Sequence, residues 1–349
     1  MRKNFRVLLL VLALALVLCA CAVPDSLTDS PSPETPAGDE LTVHFLDVGQ
    51  ADCILLTCGG ESMLIDGGNV DDGSTVVAYL QDEGISTLDY VVCTHAHEDH
   101  VGGLAAVLAA FPAEAVWCPV TDFDTKAFRN FRMYAEEQGC RLVMPELDGV
   151  YALGGATVTV LGPREAYDDP NNTSIVLRVC LGDCAFVFSG DAEWQSEAAI
   201  LDAGCDVSCG VLKAGHHGSS TSNSYRWLLE ADPQAMVISC GKNNDYGHPH
   251  EEVMSRLADA EIDVLRTDMQ GHIVCVCDGE SYVFYTQYTA DAPTNPIEKY
   301  TGVYIGNVNS NKYHRETCSG LPREENRVYF DTKAEAEAAG YSPCGQCHP

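Results

Sequence analysis

Residues 91–104 read Val91-Val92-Cys93-Thr94-His95-Ala96-His97-Glu98-Asp99-His100-Val101-Gly102-Gly103-Leu104, and this stretch decides the fold. The apolar residues before it predict a strand over 90–93, and those after it predict a helix over 104–110. Three imidazoles and a carboxylate therefore lie within six residues at a strand-to-helix turn, where they can converge. These ligand types suit Zn²⁺, Mn²⁺ or Fe, so the stretch predicts a metal site. Gly102 and Gly103 are expected to let the backbone turn sharply beneath it.

On both sides of this stretch, short β-rich runs alternate with helical stretches. Strands are predicted at 41–47, 53–57, 62–65, 90–93, 115–117, 141–144, 156–161, 175–180, 184–188, 210–213, 236–240 and 273–276. Helices are predicted near 75–83, 104–110, 125–138, 194–203, 225–231 and 251–260. The pattern predicts an α/β fold in which two stacked sheets are covered by helices on both outer faces, an αββα sandwich.

Further motifs follow the first in a fixed order along the chain. They are residues 45–52 (FLDVGQAD), 64–68 (LIDGG), 188–193 (FSGDAE), 212–219 (LKAGHHGS) and 246–250 (YGHPH). With the His-x-His-x-Asp-His stretch, this series resembles the metallo-β-lactamase-fold hydrolases, and within them the ComEC/Rec2-related branch. The resemblance covers residues 41 to about 288, and it implies a hydrolase domain over residues 41–290.

The resemblance implies two neighbouring metal positions. The first would be held by His95 and His97, the second by Asp99, His100 and His216, with Asp191 bridging both. His216 is preferred to its neighbour His217 because it lies nearer the end of the preceding strand. One or two divalent metals are expected, with zinc preferred and manganese as the alternative. Two metals that share a carboxylate lower the pKa of a bridging water and clamp a phosphoryl oxygen.

The resemblance also implies supporting roles for other polar residues. Asp66 would orient a ligand imidazole from behind. Asp99 would help to orient the attacking hydroxide. His217, together with His248 or His250, would contact the substrate phosphate or protonate the leaving group.

One position departs from the pattern of many relatives, which supply a further His between the main motif and the bridging Asp. Residues 101–190 contain no His, and Asn171-Asn172-Thr173-Ser174 stands where that ligand is expected. Asn172 is therefore assigned to the surroundings of the first metal. Because an amide oxygen is a poor substitute for imidazole, the first metal is expected to be weakly held, exchangeable or absent.

Several polar residues near the motifs allow two interpretations. Lys213 is either a positive group that faces substrate or only a residue at the end of a strand. Residues 219–222 either cap the following helix or contact phosphate. His44 and His272 lie in strand patterns and are interpreted as structural.

The N-terminus is typical of an export signal. Three basic residues precede an apolar run over residues 7–18, which is short for a membrane span. Leu18-Cys19-Ala20-Cys21 resembles a bacterial lipobox, which implies a signal peptide over residues 1–20 and lipidation of Cys21. Residues 21–40 are predicted to be a flexible tether. The expected location is the outer face of a bacterial membrane through a lipid anchor, and the alternatives are a plain signal peptide with secretion or an uncleaved anchor.

The C-terminal segment carries a second metal-ligand pattern. A linker over residues 291–302 leads to a module over residues 303–349, in which His314, Cys318, Cys344 and Cys347 predict a Cys₃His structural zinc site. His348 is an alternative to His314, and a disulfide between the two last cysteines is the alternative to zinc. The segment resembles the small Ada-type metal-binding modules.

Charge and composition limit the function. Acidic residues number 51 against 20 basic ones, and the formal net charge is −31, which excludes nucleic-acid binding driven by clustered Lys and Arg. Most of the 17 cysteines lie in apolar runs and are expected to pack as small hydrophobes. The sequence predicts a metal-dependent phosphodiesterase acting on a phosphodiester substrate such as DNA, and no motif indicates an obligate protein partner. The alternatives are a hydrolase of another ester (a wall-polymer phosphodiester, thioester or lactam) and a non-catalytic binding lipoprotein.

Overall fold

Two mixed sheets form the centre of the molecule in the computed structural model, which describes residues 40–288, 303–316, 318–330 and 332–344. Their strands are β1 (Leu41–Phe45), β2 (Ile54–Cys58), β3 (Glu61–Ile65), β4 (Leu88–Val92), β5 (Ala113–Trp117), β6 (Leu142–Val143), β7 (Val150–Leu153), β8 (Ala156–Gly162), β9 (Val176–Leu181), β10 (Cys184–Phe188), β11 (Val211–Lys213), β12 (Ala235–Ile238), β13 (Asp263–Arg266), β14 (Ile273–Cys277) and β15 (Tyr282–Thr286). The first sheet has the order β15-β14-β1-β2-β3-β4-β5-β6, and the second has the order β13-β12-β11-β10-β9-β8-β7.

Helices cover the outer faces of both sheets. They are Gly73–Asp82, Glu98–Val101, Leu104–Ala110, Lys126–Glu137, Trp194–Asp202, Tyr225–Ala231, Glu251–Asp259 and Thr267–Gln270. Their starts follow ordinary capping rules: the Thr125 side chain accepts a hydrogen bond from the Phe128 N–H, and Ser224 does the same for Trp227.

Three apolar layers hold the sandwich together. The middle layer lies between the sheets and includes Phe45, Val158 and Phe186. One outer layer packs the helices onto the first sheet, and the other packs those around Trp227 onto the second. Strands such as β10 are buried along their whole length because both of their faces are covered. The predicted αββα sandwich is therefore confirmed.

Some elements were not predicted from the sequence. They are the strands β7, β13 and β15 and the one-turn helices Glu98–Val101 and Thr267–Gln270. The sequences of β7 (VYAL) and β15 (YVFYT) are rich in β-branched and aromatic residues and so carry a strand signal; both strands lie at sheet edges, where part of their length is exposed. The two helices are too short to show a helical period.

Parallel pairing brings the functional loops to one end of each sheet. β4 runs parallel to β3 in the first sheet, and β10, β11 and β12 run parallel to each other in the second. Loops that follow parallel strands leave the sheet at the same edge. The motifs after β4, β10 and β11 are therefore neighbours in space.

Gly102 and Gly103 have a different role from the one expected. Both have right-handed helical backbone angles, so neither makes a turn that only glycine allows. They are needed for close packing instead: a Cβ on Gly103 would lie 2.0 Å from the Gly67 carbonyl oxygen, and one on Gly102 would lie 2.4 Å from the Val70 nitrogen. The site helix is thereby pressed directly onto the backbone of the loop after β3.

Most of the cysteines between residues 41 and 290 are buried. Cys93 and Cys118 belong to one apolar layer, and Cys275 and Cys277 to another. The expected packing as small hydrophobes is confirmed.

The C-terminal module contains a separate four-stranded sheet. Its strands are β16 (Tyr304–Asn307), β17 (Lys312–Arg315), β18 (Arg327–Phe330) and β19 (Ser342–Pro343), in the order β18-β16-β17-β19, and its helix is Lys333–Ala338. The Arg315 guanidinium at the end of β17 lies 2.8 Å from the Glu251 carboxylate, which begins a helix of the hydrolase domain. The module is thus joined to the domain by an ion pair.

Several predictions lie outside the described residues. They are the signal peptide, the tether up to residue 39, lipidation of Cys21, the linker, and ligation by Cys347 or His348. In the part of the chain that is described, no helix has both the length and the apolar character needed to cross a bilayer.

Candidate metal centre

The loop after β4 is held by a carboxylate beneath it. The Asp66 carboxylate accepts hydrogen bonds from the Thr94 N–H and the Thr94 hydroxyl, each at 2.7 Å. The His100 Nδ1–H donates to the same carboxylate at 2.8 Å, which fixes the proton on Nδ1 and turns Nε2 toward the site. Asp66 therefore makes the contact that the resemblance assigned to it.

Four side chains from the two sheets converge above this support. Asp99, His100, Asp191 and His217 each bring one ligand atom to within 4.8 Å of the other three. His100 Nε2 lies 3.2 Å from an Asp191 oxygen, and His217 Nε2 lies 3.3 Å from an Asp99 oxygen. Asp99 and His100 follow β4 of the first sheet, whereas Asp191 and His217 follow strands of the second.

The side chains of this quartet (Asp99, His100, Asp191, His217) fit a divalent cation. His100 Nε2, His217 Nε2 and Asp191 Oδ1 are buried, and none of them forms a hydrogen bond with another described residue. Buried polar atoms without partners are costly, and they indicate a missing ligand. Two imidazole nitrogens and two carboxylates are the donors that zinc and manganese accept.

Charge is distributed unevenly in the quartet. Burial opposes the charged form of His217, but the carboxylates of Asp191 and Asp52 outweigh it and raise the pKa of His217 to about 10. The pKa of His100 is raised well above its usual range, since Asp191 and Asp66 likewise outweigh burial. Despite its own burial, Asp191 has a pKa well below its usual range because His100 and His217 stabilise the carboxylate. A cation would take the place of the two imidazolium protons.

The first metal position is less complete. His95 Nε2 lies 3.0 Å from His97 Nδ1 and 3.9 Å from an Asp191 oxygen, and His216 Nε2 lies 3.6 Å from that same oxygen. No group of three ligand atoms within 4.8 Å of one another forms here among the described residues. Ser174 stands near the site of the missing His: its hydroxyl lies 3.4 Å from His95 Nδ1 and accepts the Asp191 N–H at 3.1 Å.

The geometry reverses the preference between the two adjacent histidines. His216 and His217 both have left-handed backbone angles, with φ of 49° and 52°. Two such residues in succession send the side chains to different places. That of His217 is 1% exposed and joins the quartet, whereas that of His216 is 23% exposed and contacts Thr221 and Glu193. His217, rather than His216, is the ligand candidate for the second position.

Asn172 does not touch a ligand imidazole. Its side-chain oxygen accepts the N–H groups of Glu193 and Ser196 at 3.1 and 3.3 Å. It therefore caps the helix Trp194–Asp202, which follows Asp191, and supports the metal position only indirectly.

The two histidines of the 246–250 motif differ in how many of their ring nitrogens are hydrogen-bonded. Both ring nitrogens of His250 are engaged, because Nδ1 accepts the Ser220 N–H at 2.9 Å and Nε2–H donates to the Tyr246 carbonyl at 3.1 Å. His248 Nδ1 accepts from the Gln50 amide at 3.2 Å, which leaves its Nε2–H for another partner. The His248 ring lies 5.5 Å from that of His216. His248 is thus placed to meet a substrate, and His250 is placed to hold the loop.

A buried ion pair beneath the site was not predicted. The Lys213 ammonium is 1% exposed and donates to the Asp52 carboxylate at 2.8 Å. The other Asp52 oxygen lies 3.3 Å from His217 Nδ1, which also donates to the Ser239 carbonyl. Lys213 therefore supports the quartet and does not face substrate. The only sequence signal was the place of Asp52 at the end of the FLDVGQAD motif.

A second buried carboxylate supports the loop that carries the histidine pair. Glu197 accepts the N–H groups of Asn223 and Ser224 at 2.6 and 3.1 Å. The Asn223 side chain in turn binds both the N–H and the carbonyl of Gly215 at 2.9 Å. Burial raises the pKa of Glu197 to about 7.

This arrangement of fold and ligands has a match among known families. Residues 46–242, more than half of the chain, match the metallo-beta-lactamase superfamily. The chain belongs to that superfamily. Its metallo-beta-lactamase domain carries the metal centre described above.

Similar proteins include two with competence-related names. ComE operon protein 3 of Bacillus subtilis is 29% identical over 251 residues, which are 66% of this chain and 32% of that protein. Competence protein ComA of Neisseria gonorrhoeae is 31% identical over 242 residues, 68% of this chain and 33% of the relative. The chain thus spans about a third of the length of these relatives. Among solved structures, the metallo-beta-lactamase fold protein YhfI from Bacillus subtilis has a TM-score of 0.49 at 15% identity, over 68% of this chain and 100% of that one.

The module beyond the metallo-beta-lactamase domain has its own family and its own ligand cluster. Residues 297–349 match the metal binding domain of Ada. His314, Cys318 and Cys344 are buried and bring ligand atoms within 4.8 Å of one another. These are three of the four predicted ligands, and the fourth, Cys347, follows the described residues.

Proposed function

We propose that the chain is a metal-dependent phosphodiesterase that acts on nucleic acid or its fragments. The observation that carries the proposal is the quartet, in which three buried polar atoms without a hydrogen-bond partner among the described residues face one point between the two sheets. A divalent cation bound there supplies activation of water and charge stabilisation of a phosphoryl group.

The chain's own residues provide the rest of the chemistry. The Asp99 side chain is 31% exposed, so its carboxylate reaches both the quartet and the solvent from which the attacking water comes. His248 has a pKa lowered to about 3, because burial and the neighbouring His250 disfavour its charged form. A neutral His248 with its proton on Nε2 donates a hydrogen bond to a phosphoryl oxygen and does not act as an acid.

Nucleic acid is favoured by the relatives. Among the similar proteins, one is named competence protein and another is named recombination protein. These names favour a nucleic-acid substrate over a lactam. Because the net charge is −31, capture of the substrate falls to the cation and to local contacts.

Hydrolysis is tested with the full chain in mild detergent, loaded with Zn²⁺ or Mn²⁺. The substrates are single-stranded DNA, duplex DNA, bis(p-nitrophenyl) phosphate and a β-lactam. We expect cleavage of diesters, its loss in Asp191→Asn, and its retention in Asp278→Asn, which changes an exposed carboxylate elsewhere. Cleavage of the β-lactam alone, or activity that survives Asp191→Asn, would contradict the proposal.

We further propose that Cys21 is lipidated and anchors the chain to the outer face of a bacterial membrane. The basic start, the apolar run and the sequence Leu18-Cys19-Ala20-Cys21 support this. Expressed in a bacterium, Cys21→Ser is expected to move the protein out of the membrane fraction and to abolish labelling by a fatty-acid probe. Cys19→Ser is the matched control, and equal behaviour of the two variants would exclude the anchor.

A further inference from the structure

A cavity of about 540 Å³ opens beside the metal centre. Its lining includes Lys242, Asn243, Asn244, His248, Arg266 and Asp268. The volume lies within the range of about 300–1,000 Å³ that is usual for small-molecule sites. His248 belongs both to this cavity and to the rim of the metal centre, so a molecule in the cavity lies next to the reacting group.

Tyr246 does not line this cavity but lies beside it, next to the lining residues Gly247 and His248. Its side chain is 70% exposed, although the ring is large and apolar. One face lies against His248, with ring centroids 5.6 Å apart and planes at 22°. His250 fixes the Tyr246 backbone through its hydrogen bond to the carbonyl. The other face of the ring is therefore open and held in a defined position.

Positive charge in the cavity comes from Lys242. Arg266 is neutralised by Asp268, to which its guanidinium donates two hydrogen bonds at 3.0 and 2.7 Å. Lys242 is exposed and forms no ion pair with any residue that the structure describes. The Asn243 and Asn244 side chains add polar groups to the lining.

We propose that the nucleotide next to the scissile phosphodiester binds at this cavity, with its phosphate near Lys242 and its unpaired base stacked on Tyr246 beside the cavity. The proposal rests on the phosphodiesterase function and narrows it to single-stranded or short substrates. A base inside a duplex has both faces covered, whereas a free base offers a face to an aromatic ring. Stacking also suits an acidic protein, since it requires no positive surface.

Binding of small ligands tests the cavity without turnover. Titration calorimetry compares thymidine 5′-monophosphate with 2-deoxyribose 5-phosphate, which lacks only the base. We expect the nucleotide to bind more tightly to the wild type, and Tyr246→Ala to weaken nucleotide binding about tenfold to hundredfold while leaving the sugar phosphate unchanged. Tyr246→Phe is expected to bind as the wild type does. Tyr285→Ala, which removes an exposed tyrosine on the edge strand β15, serves as the control.

Kinetics provide the second measurement. For a single-stranded oligonucleotide, Tyr246→Ala is expected to raise KM about tenfold or more with little change in kcat, and for the same strand with abasic residues it is expected to change neither. Equal effects on base-containing and abasic ligands would overturn the cavity assignment even if diesters are cleaved. Selective nucleotide binding through Tyr246 without cleavage of any diester would instead refute the phosphodiesterase and leave the binding site standing.

Discussion

The two metal positions of the site differ in how completely the chain builds them. At the second position, three of the four side chains are buried, their unpartnered polar atoms already face each other, and a carboxylate lies behind each imidazole. At the first, His97 is only half-buried and a serine occupies the region of the missing imidazole. We therefore expect tight metal binding at the second position, and weak, exchangeable or no binding at the first.

The largest effect should distinguish the two positions directly. His217→Ala is expected to remove the tightly bound metal and to lower diester hydrolysis by about 10³-fold or more, whereas His97→Ala should keep about one metal per chain. Elemental analysis after dialysis and initial rates measure both, with circular dichroism as a check of folding. A His217→Ala protein that keeps its metal would reverse the comparison.

The next largest effect is the number of protons released on metal binding, which should differ between the two positions. The pKa of His100 is raised well above its usual range and that of His217 to about 10, so metal binding at the second position displaces about two protons near neutral pH. Burial instead lowers the pKa of His95 well below its usual range, so this ligand of the first position has no proton to lose. The affinity of the tight position should therefore rise about a hundredfold from pH 7 to pH 8.

Calorimetric titrations of Zn²⁺ in buffers of different ionisation enthalpy count these protons. Tight binding without release would show that the two imidazoles are already neutral in the metal-free protein.

Loss of the Asp66 carboxylate, which supports His100, should have a smaller effect on metal affinity. Asp66→Asn is expected to weaken metal binding about tenfold to hundredfold, because the amide no longer fixes the His100 tautomer. The matched change Asn172→Ala removes a helix cap and is expected to cost about 1 kcal/mol of stability with little loss of metal affinity. Competition with a chelating dye measures affinity, and similar losses in both variants would mean that Asp66 acts only through stability.

The last effect is on stability rather than on metal binding, and it concerns the loop that carries the histidine pair. Burial raises the pKa of Glu197 from 4.5 to about 7. Between these pH values the unfolded chain loses this proton while the folded chain keeps it. The carboxyl's contribution to stability is therefore fully present below pH 4.5 and falls by about 3 kcal/mol as the pH rises to 7.

Glu197→Gln removes the titration but keeps an oxygen for the Asn223 N–H. Its free energy of unfolding, measured with urea on metal-free protein at pH 5 and 7.5, should fall less over this interval than that of the wild type. The same decrease in both proteins would assign the pH dependence to other groups.

Much of the fold was accessible from the sequence because long buried elements carry strong periodicity. The helices Leu104–Ala110 and Tyr225–Ala231 and the strand β10 were predicted with their exact bounds. The edge strands β7 (VYAL) and β15 (YVFYT) were not predicted, although their apolar residues carry a strand signal. Short apolar runs are ambiguous in a sequence, so these two edges were identified only by their pairing with β8 and β14.

The site was predicted in composition more than in geometry. The ligand types around His95 to His100 follow from one short stretch, but the choice between His216 and His217 depends on two left-handed backbone conformations that no residue type demands. The pairing of Asp52 with Lys213 joins residues 161 positions apart, so it required the sheets to be assembled. His250 was expected to contact substrate because the sequence does not reveal that both of its ring nitrogens are hydrogen-bonded within the protein, to Ser220 and Tyr246.

The division of the quartet between the sheets makes the metal a cross-link between two parts of the fold. A chain cut in the loop between β6 and β7 would leave Asp99 and His100 on one fragment and Asp191 and His217 on the other. Neither fragment could hold a cation with more than two of these ligands, so metal uptake would report their reassembly. For the hydrolase proposed above, the same arrangement ties activity to the docking of both sheets, because a partly folded chain does not bring the four ligands together.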